Sequence, residues 1–477
     1  MAQVRLYNSL TREVEPLRLL RPGQVSLYTC GPTVHDQAHI GNFRSYLVED
    51  LLRRHLEARG LKVDHVMNIT DVDDKIISKA TAAGQSLEQF TAPFAEAFFQ
   101  DLDRLRIRRA QRLPRATAYL APMISLVERL LANGHAYQSQ GSVYFRLASF
   151  PKYGELSHLD RQGLFAGASG RIDKDEYEAK EAVGDFALWK GGHEGDLGVW
   201  PSPFGFGRPG WHLECSAMAM NLLGDSIDIH CGGIDNRFPH HENERAQSES
   251  ATGRRFVGVW FHVEHLLVEG GKMAKSQGNF MTLASLLERD HSALSVRYHL
   301  LGNTHYRERL HFREEDLMGA AESLDRLATF WRRCASVSDG ELQDAGSGDP
   351  LVVSARRVQD RFEQAMDDDL NLPQALGFLH ELVREGNRLL DEGRGGSGGC
   401  LAALGALRAA DSRLGVIEKA AGLEDSKLSE PERHLMQRRD AARQSGNYPK
   451  ADRIRDQLLE LGVAVEDTRE GTRWRRL

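Results

Sequence analysis

The sequence is notable first for what it lacks. In 477 residues there is no run of 18 apolar residues, so no segment reads as a membrane-spanning helix. Its opening residues, MAQVRLYNSL, have no basic stretch followed by an apolar one, which argues against a secretory leader. Cysteine is scarce: five are spread without framework spacing, which excludes a disulfide scaffold and points to a reduced, cytoplasmic setting. Positive charge is not in excess either. The net charge of −7 means that any contact with nucleic acid must come from local basic patches. Neither G-x-G-x-x-G nor the Walker loop occurs, and no tandem repeat is visible. What remains is the composition of an ordinary globular protein, 41% hydrophobic and 27% charged, long enough for roughly two to four domains.

The chain is organised around residues 30–42, CGPTVHDQAHIGN. Ahead of them, 25–29 (VSLYT) reads as a short buried strand bounded by Gly23 and Gly31-Pro32. Behind them, Tyr46, Leu47, Leu51, Leu52 and Leu56 recur at helical spacing over 43–59. A strand, a tight turn and a helix N-terminus make an anion site, because free N–H groups and the positive end of the dipole face the turn. A second strand at 63–69 completes a βαβ unit and ends in Thr70-Asp71-Val72-Asp73-Asp74-Lys75, at the crevice where parallel sheets bind ligands. Asp73 and Asp74 read there as a helix cap.

Further along, helices are predicted over 86–106 and 116–134, and residues 1–22 as a leader packing on the core. A Gly-rich insertion follows over 135–200, with strand-like pieces such as 142–145. Strands resume at 226–230 and 257–263, followed by a loop at 271–279. From 283 to about 420 the pattern is almost wholly helical, including 320–336, 351–366 and 373–390, with a flexible loop at 391–399. A linker at 422–430 precedes two helices and a strand-like end.

Three constellations carry chemistry. His240 and Glu244 lie four apart, so on a helix they share a face and form half of a metal site. Cys30 and Cys215 could supply the other half as thiolates. The other readings are a small buried hydrophobe for Cys215 and a capping polar cluster for His240-His241. His39, at the helix start, can donate to a phosphoryl oxygen or serve only as a cap. Lys272 and Lys275, three apart between Gly270-Gly271 and Gly278, form a cationic loop suited to clamping a polyphosphate, or merely a solvated one.

Together these residues resemble a known family. His39-Ile40-Gly41-Asn42 resembles the HIGH motif, and Lys272-Met273-Ala274-Lys275-Ser276 the KMSKS motif, of class I aminoacyl-tRNA synthetases. The segments at 30–34, 68–75, 208–218, 238–244 and 474–476 resemble the cysteinyl-tRNA synthetases, and the likeness runs over essentially the whole chain. The fold this implies is α/β. A Rossmann-like parallel-sheet catalytic domain (1–134 and 201–265) is split by a connective insertion (135–200). A stem-contact region (266–310) carries the KMSKS-like loop. A helical bundle (311–421) and a small α/β anticodon-binding domain (431–477) follow. The insertion looks too short to be a hydrolytic editing domain.

The implied activity is cysteine–tRNA ligation. L-Cysteine and ATP give cysteinyl-adenylate, and the cysteinyl group passes to the 3′ end of tRNA(Cys). The resemblance implies one zinc ion on Cys30, Cys215, His240 and Glu244 that binds the substrate's sulfur, expanding its shell or loosening a ligand to do so. It implies Mg²⁺ with ATP, transition-state contacts from His39 and Lys275 with Lys272 and Asn42 assisting, and nucleotide contacts from Gly41 and Asp235. Thr70 and Trp211 match the amino-acid pocket. Arg473, Trp474, Arg475 and Arg476 would meet tRNA, within a basic end that also holds Arg438, Arg439, Arg443, Arg453 and Arg455. The alternative for that end is a salt-bridged helical pair, since Asp440, Asp452 and Asp456 interleave with the arginines. The basic run 104–115 could face the acceptor end. A monomer is implied.

Two residues depart from the pattern. Asn42 replaces the second His of HIGH, and Ala274 the Ser of KMSKS. Cys231 reads as a small residue by the sheet end. Two rivals differ in acceptor or chemistry: a cysteine ligase acting on a small amino-sugar, as in mycothiol synthesis, and a non-catalytic tRNA-binding paralogue.

Overall fold

The structure is a computed structural model, and it describes residues 3–159, 180–182, 184–268, 271–273, 279–338, 349–422, 430–445, 447–460, 463–468 and 471–476. The chain divides into two compact units, one of residues 1–321 with 357–381 and one of 322–356 with 382–477.

In the first unit the leader is a hairpin, β1 (Arg5–Asn8) and β2 (Glu13–Pro16). The N–H of Ser9 just past β1 donates to the carbonyl of Trp260 at 2.9 Å, tying the hairpin to the core. The central βαβ unit is β3 (Gln24–Thr29), α1 (Ile40–Ala58) and β4 (Lys62–Met67). Then come α2 (Asp74–Ala83), α3 (Leu87–Arg104) and α4 (Leu120–Ala132). Asp73 is indeed the N-cap of α2, accepting from the Ile76 N–H at 2.6 Å. Asp74 instead meets Lys190 and Arg208, each at 2.8 Å.

The insertion is an antiparallel sheet in the order β5 (Ala136–Ser139), β6 (Ser142–Phe145), β7 (Phe186–Gly191), β8 (Gly207–Pro209). Its last strand lies past the expected boundary at 200. Gln140 and Gly141 both take positive φ, 47° and 78°, as the two-residue loop joining β5 to β6 requires. Next come α5 (Trp211–Leu223), β9 (Ile227–Gly233), α6 (Glu242–Thr252) and β10 (Val257–Val263).

The main sheet is all parallel, in the order β10-β9-β3-β4. Its strands are buried on both faces: Val25, Leu27, Tyr28, Ile227, Ile229, Val259, Trp260 and Phe261 all lie in the core. That explains their near-continuous apolar runs, because helices cover both sides of a parallel sheet. From β3 the chain crosses to β4 on one side, and from β9 to β10 on the other. The crevice between the ends of β3 and β9 is therefore the topological switch point.

A smaller sheet, β11 (Leu266–Val268), β12 (Gly271–Lys272) and β13 (Leu310–Phe312), follows, with α7 (Leu283–Leu287) and α8 (Ala293–Gly302) between its last two strands. β13 is one correction to the expected helical run from 283. Its Leu310 and Phe312 are buried with His311 exposed between them, a period of two in a window too short to register.

Helices α9 (Asp316–Ser338), α10 (Pro350–Asp367) and α11 (Leu372–Asp391) each have residues in both units. The second unit adds α12 (Ser397–Leu414) and α13 (Ile417–Ala420). α12 corrects the loop expected over 391–399. Ser397 and Gly399 are already helical and buried, because the small residues let the helix approach Leu351 and Asp349 closely. The chain then forms α14 (Glu430–Gln444), α15 (Tyr448–Glu460) and a hairpin of β14 (Val463–Thr468) with β15 (Gly471–Arg476). Met436, Ile454, Leu458 and Val463 form the core of this last part. The expected linker lies largely outside the described residues.

Candidate active site

At the switch point the chain encloses a cavity of about 580 Å³. Its wall is assembled from the ends of β3, β4, β9 and β10 and from one face of α1. The turn after β3 is pinned to the segment after β4: Thr70 N–H donates to the Pro32 carbonyl and Val34 N–H to the Thr70 carbonyl, both at 3.0 Å. Gly31 is required here, since a Cβ would lie 1.7 Å from the Asn68 carbonyl oxygen.

One end of the cavity is a cluster of metal-ligating side chains. Cys30 follows β3, Cys215 lies on α5, His240 precedes α6 and Glu244 is in its first turn. Their ligand atoms all fall within 4.8 Å of one another. Cys30 Sγ is 3.8 Å from both Cys215 Sγ and Glu244 Oε1, and His240 Nε2 is 3.1 Å from Glu244 Oε1. A tetrahedral ion with bonds near ~2.3 Å to sulfur needs its sulfurs roughly 3.8 Å apart, so the spacing of the two thiols suits zinc. Burial pushes the Cys30 thiol and the Glu244 carboxyl up and the His240 imidazole down. For Cys215, the hydrogen bond with Cys30 pulls the thiol down, but burial and Glu244 raise it by more. A divalent cation reverses this for the thiols and the carboxyl, since ligands bind deprotonated.

A second donor set, Cys30, His230, His241 and Glu244, shares two members with the first. Sequence spacing does not mark His230 and His241 as donors, because His230 lies on β9 and no local periodicity links it to the others. His230 Nε2 is 2.9 Å from Glu244 Oε2, and Cys30 Sγ is 3.3 Å from His241 Nε2. His241 Nδ1 is 2.8 Å from His262 Nε2, whose Nδ1 is 2.7 Å from Ser9 Oγ. These histidines are buried behind the cavity, whereas Cys30, Cys215 and His240 line it. Either set could hold an ion, and the first is the one most of whose donors line the cavity.

The other end is the turn at the start of α1. His39 is the N-cap, and His39 and Asn42 close a reciprocal capping box. His39 Nδ1 accepts from the Asn42 N–H, and Asn42 Oδ1 accepts from the His39 N–H, both at 3.1 Å. This gives the Asn42 departure a structural reason. Burial lowers the His39 imidazole below its ordinary value, against an opposing contribution from Asp235. A neutral ring accepting at Nδ1 carries its proton on Nε2, free to donate into the cavity. A Cβ on Gly41 would sit 2.8 Å from Met273 Cε and 3.1 Å from the His39 ring, so side chains already crowd that backbone.

Trp211 opens α5, 43% exposed, with its ring 4.3 Å from that of His240 at the cavity wall. Thr70 and Asp235 also line the cavity, Asp235 at its exposed side. Lys272 is on β12, while Ala274 and Lys275 lie outside the described residues. Cys231 is buried on β9 and is in neither donor set. The basic run 104–115 is largely neutralised: Arg108 meets Glu57 at 2.6 Å, Arg109 meets Asp103 at 2.5 Å, Arg115 meets Asp71 at 4.0 Å, and Arg112 meets Asp64. At the far end of the chain Arg439 is buried against Asp440 and Thr472, each at 2.9 Å, so it supports the fold rather than meeting a ligand. Arg473–Arg476 lie on β15.

A parallel sheet with its cavity at the switch point and a capped histidine turn defines, with the match of residues 16–322 to the family model "tRNA synthetases class I (C) catalytic domain", a class I aminoacyl-tRNA synthetase. Solved structures share the fold. Mycobacterium tuberculosis methionyl-tRNA synthetase in complex with methionyl-adenylate aligns with a TM-score of 0.65 at 17% identity, covering 84% of this chain and 93% of that one. A LeuRS–tRNA–LeuAMS ternary complex from Agrobacterium radiobacter K84 aligns at 0.63 and 12%, covering 85% and 86%. Two further family models match: "DALR domain" over 361–418 and "Cysteinyl-tRNA ligase anticodon binding domain" over 425–475. The chain is 46% identical to a cysteine–tRNA ligase of Solibacter usitatus over 99% of each, and 43% identical to one of Brachyspira hyodysenteriae over 100% of each. It belongs to the cysteine–tRNA ligase family, a family of aminoacyl-tRNA ligases.

Proposed function

We propose that this chain activates L-cysteine with ATP and transfers it to tRNA(Cys), with zinc selecting the substrate by its sulfur. The observation that carries this reading is that one cavity holds a four-donor metal set at one end and a capped histidine turn at the other. Zinc held by Cys30, Cys215, His240 and Glu244 supplies a thiolate-seeking Lewis acid, which a serine hydroxyl satisfies poorly and an alanine side chain not at all.

The chain's own residues then account for positioning and charge. Trp211 covers the amino-acid end, and Thr70 holds the floor through its hydroxyl contact with Asn68 Nδ2 at 3.0 Å. The cysteine carboxylate attacks the α-phosphorus of ATP, brought with Mg²⁺, and pyrophosphate leaves. His39 Nε2–H donates to the charge building on the phosphoryl oxygens, and Lys272 and Lys275 add point charges. Asn42 holds His39 in the donating tautomer. Gly41 and Asp235 flank the nucleotide. A ribose hydroxyl at the tRNA 3′ end then attacks the acyl carbon, and AMP leaves. Arg473, Trp474, Arg475 and Arg476 on β15 offer charge and a stacking platform for a single-stranded loop.

We place the protein in the cytoplasm as a monomer. All five cysteines are free, and among the described residues no helix is long and apolar enough to cross a membrane. The test is cysteine-dependent ATP–pyrophosphate exchange by the zinc-loaded protein, followed by charging of a tRNA(Cys) transcript. Activity in both supports the reading. Exchange without charging favours a small amino-sugar acceptor, and absence of exchange from the folded, zinc-loaded chain refutes it.

A further inference from the structure

Helix α1 is buried along most of its length, and it carries several charged residues into the interior. Nearly all of these are matched. Arg44 donates to the carbonyls of His265 at 2.8 Å and Glu308 at 2.7 Å. Asp50 accepts from Arg54 at 2.8 Å and from Arg297 at 2.7 Å, and His55 Nε2 is 3.1 Å from Asp367 Oδ1. Glu49 is the exception. It is 1% exposed, and neither carboxyl oxygen has a hydrogen-bond partner among the described residues. Burial pushes its carboxyl up to about 8, and a cation entering the cavity would restore the charge and supply the missing partner.

Glu49 lines the catalytic cavity, on the same face of α1 as Gly41, Asn42, Ser45 and Tyr46. Cys30 and Trp211 line the same cavity. The other carboxylates on the cavity wall are engaged or open to water. Asp36 pairs with Lys79 at 3.8 Å, Glu264 pairs with Arg309 at 3.5 Å, and Asp235 is exposed. An amino acid whose sulfur is held at the metal end and whose carboxylate points towards His39 has one polar handle left, its α-ammonium. We propose that Glu49 is the residue that receives this α-ammonium group, setting both the affinity for the amino acid and the direction in which its carboxylate leaves the metal end. The assignment rests on the reading of the cavity as the cysteine-activation site.

The test compares L-cysteine with 3-mercaptopropionate, which keeps the thiol and carboxylate but lacks the amine, on the zinc-loaded full chain. Glu49→Gln preserves volume and removes the charge, and Glu49→Met serves as a second variant should the amide misfold. Zinc content and thermal melting confirm that each variant is intact. In pyrophosphate exchange, either variant raises KM for L-cysteine by about 10- to 100-fold, the loss of one charge-assisted hydrogen bond. Inhibition by 3-mercaptopropionate changes less than about twofold on the same ground, since no amine is present to lose a partner. Equal weakening of both compounds, a change confined to KM for ATP, or no change in either would each overturn the assignment while leaving wild-type activation standing. Wild-type protein that shows no cysteine-dependent exchange would overturn the underlying reading and the assignment together.

Discussion

The two ends of the catalytic cavity are built in different ways. The nucleotide end is local: His39 and Asn42, three residues apart, satisfy each other's backbone and fix the imidazole tautomer within one helical turn. The end proposed for the metal is global: Cys30 and Cys215 are 185 residues apart and meet only because the fold brings α5 to the end of β3. A locally built site keeps its geometry as long as one helix is formed. A globally built site depends on the whole sheet and on the buried histidines His230, His241 and His262 that connect to it.

Substitutions at each end sharpen this contrast. If Lys275 has the proposed role, Lys275→Ala should slow adenylate formation by about 10²- to 10³-fold with a much smaller change in KM for cysteine. Equal effects on rate and KM, read by single-turnover kinetics, would remove Lys275 from the transition state. At the metal end, Cys215→Ser should weaken zinc retention by about 100-fold. Unchanged metal content on dialysis against a chelator would show that the ion does not use Cys215.

His241→Gln separates the two overlapping donor sets. As a supporting residue, His241 should cost about 10-fold in zinc affinity. A loss as severe as that from Cys215→Ser would instead make the deeper set the resident one. The smallest effect belongs to the local end: Asn42→Ala opens the capping box and should lower stability by about 1 kcal/mol, a melting shift of roughly 2–4 °C. The backbone N–H of residue 42 still donates to His39 Nδ1 after this change, so the imidazole keeps its tautomer and the activation rate should change little. A large fall in rate, read by pyrophosphate exchange, would show that the Asn42 side chain itself serves the activation step.

The same contrast decides what was legible in the sequence. The strands at 25–29 and 257–263 and the amphipathic helix of α1 were readable because period and turn residues act over a few positions. The His240–Glu244 pairing was readable for the same reason, and their contact at 3.1 Å follows from helical spacing. β13 escaped because three residues are too few to show a period, and the start of α12 because glycine and serine pointed to a loop where close packing made a helix. His230 and His241 were unread as donors because their role depends on which strand faces which helix.

By itself, the sequence determined the βαβ unit, the capped turn and the residue types able to bind a metal and a polyphosphate, since propensity, capping and helical spacing are short-range. Only the tertiary structure decided which thiols share a donor set, that the cavity lies where β3 and β9 part company, and that Glu49, indistinguishable in sequence from a surface glutamate, lines the cavity with no partner among the described residues. Those outcomes depend on segments far apart in the chain, brought together by burial of the sheet on both faces, and burial is a property of the assembled fold.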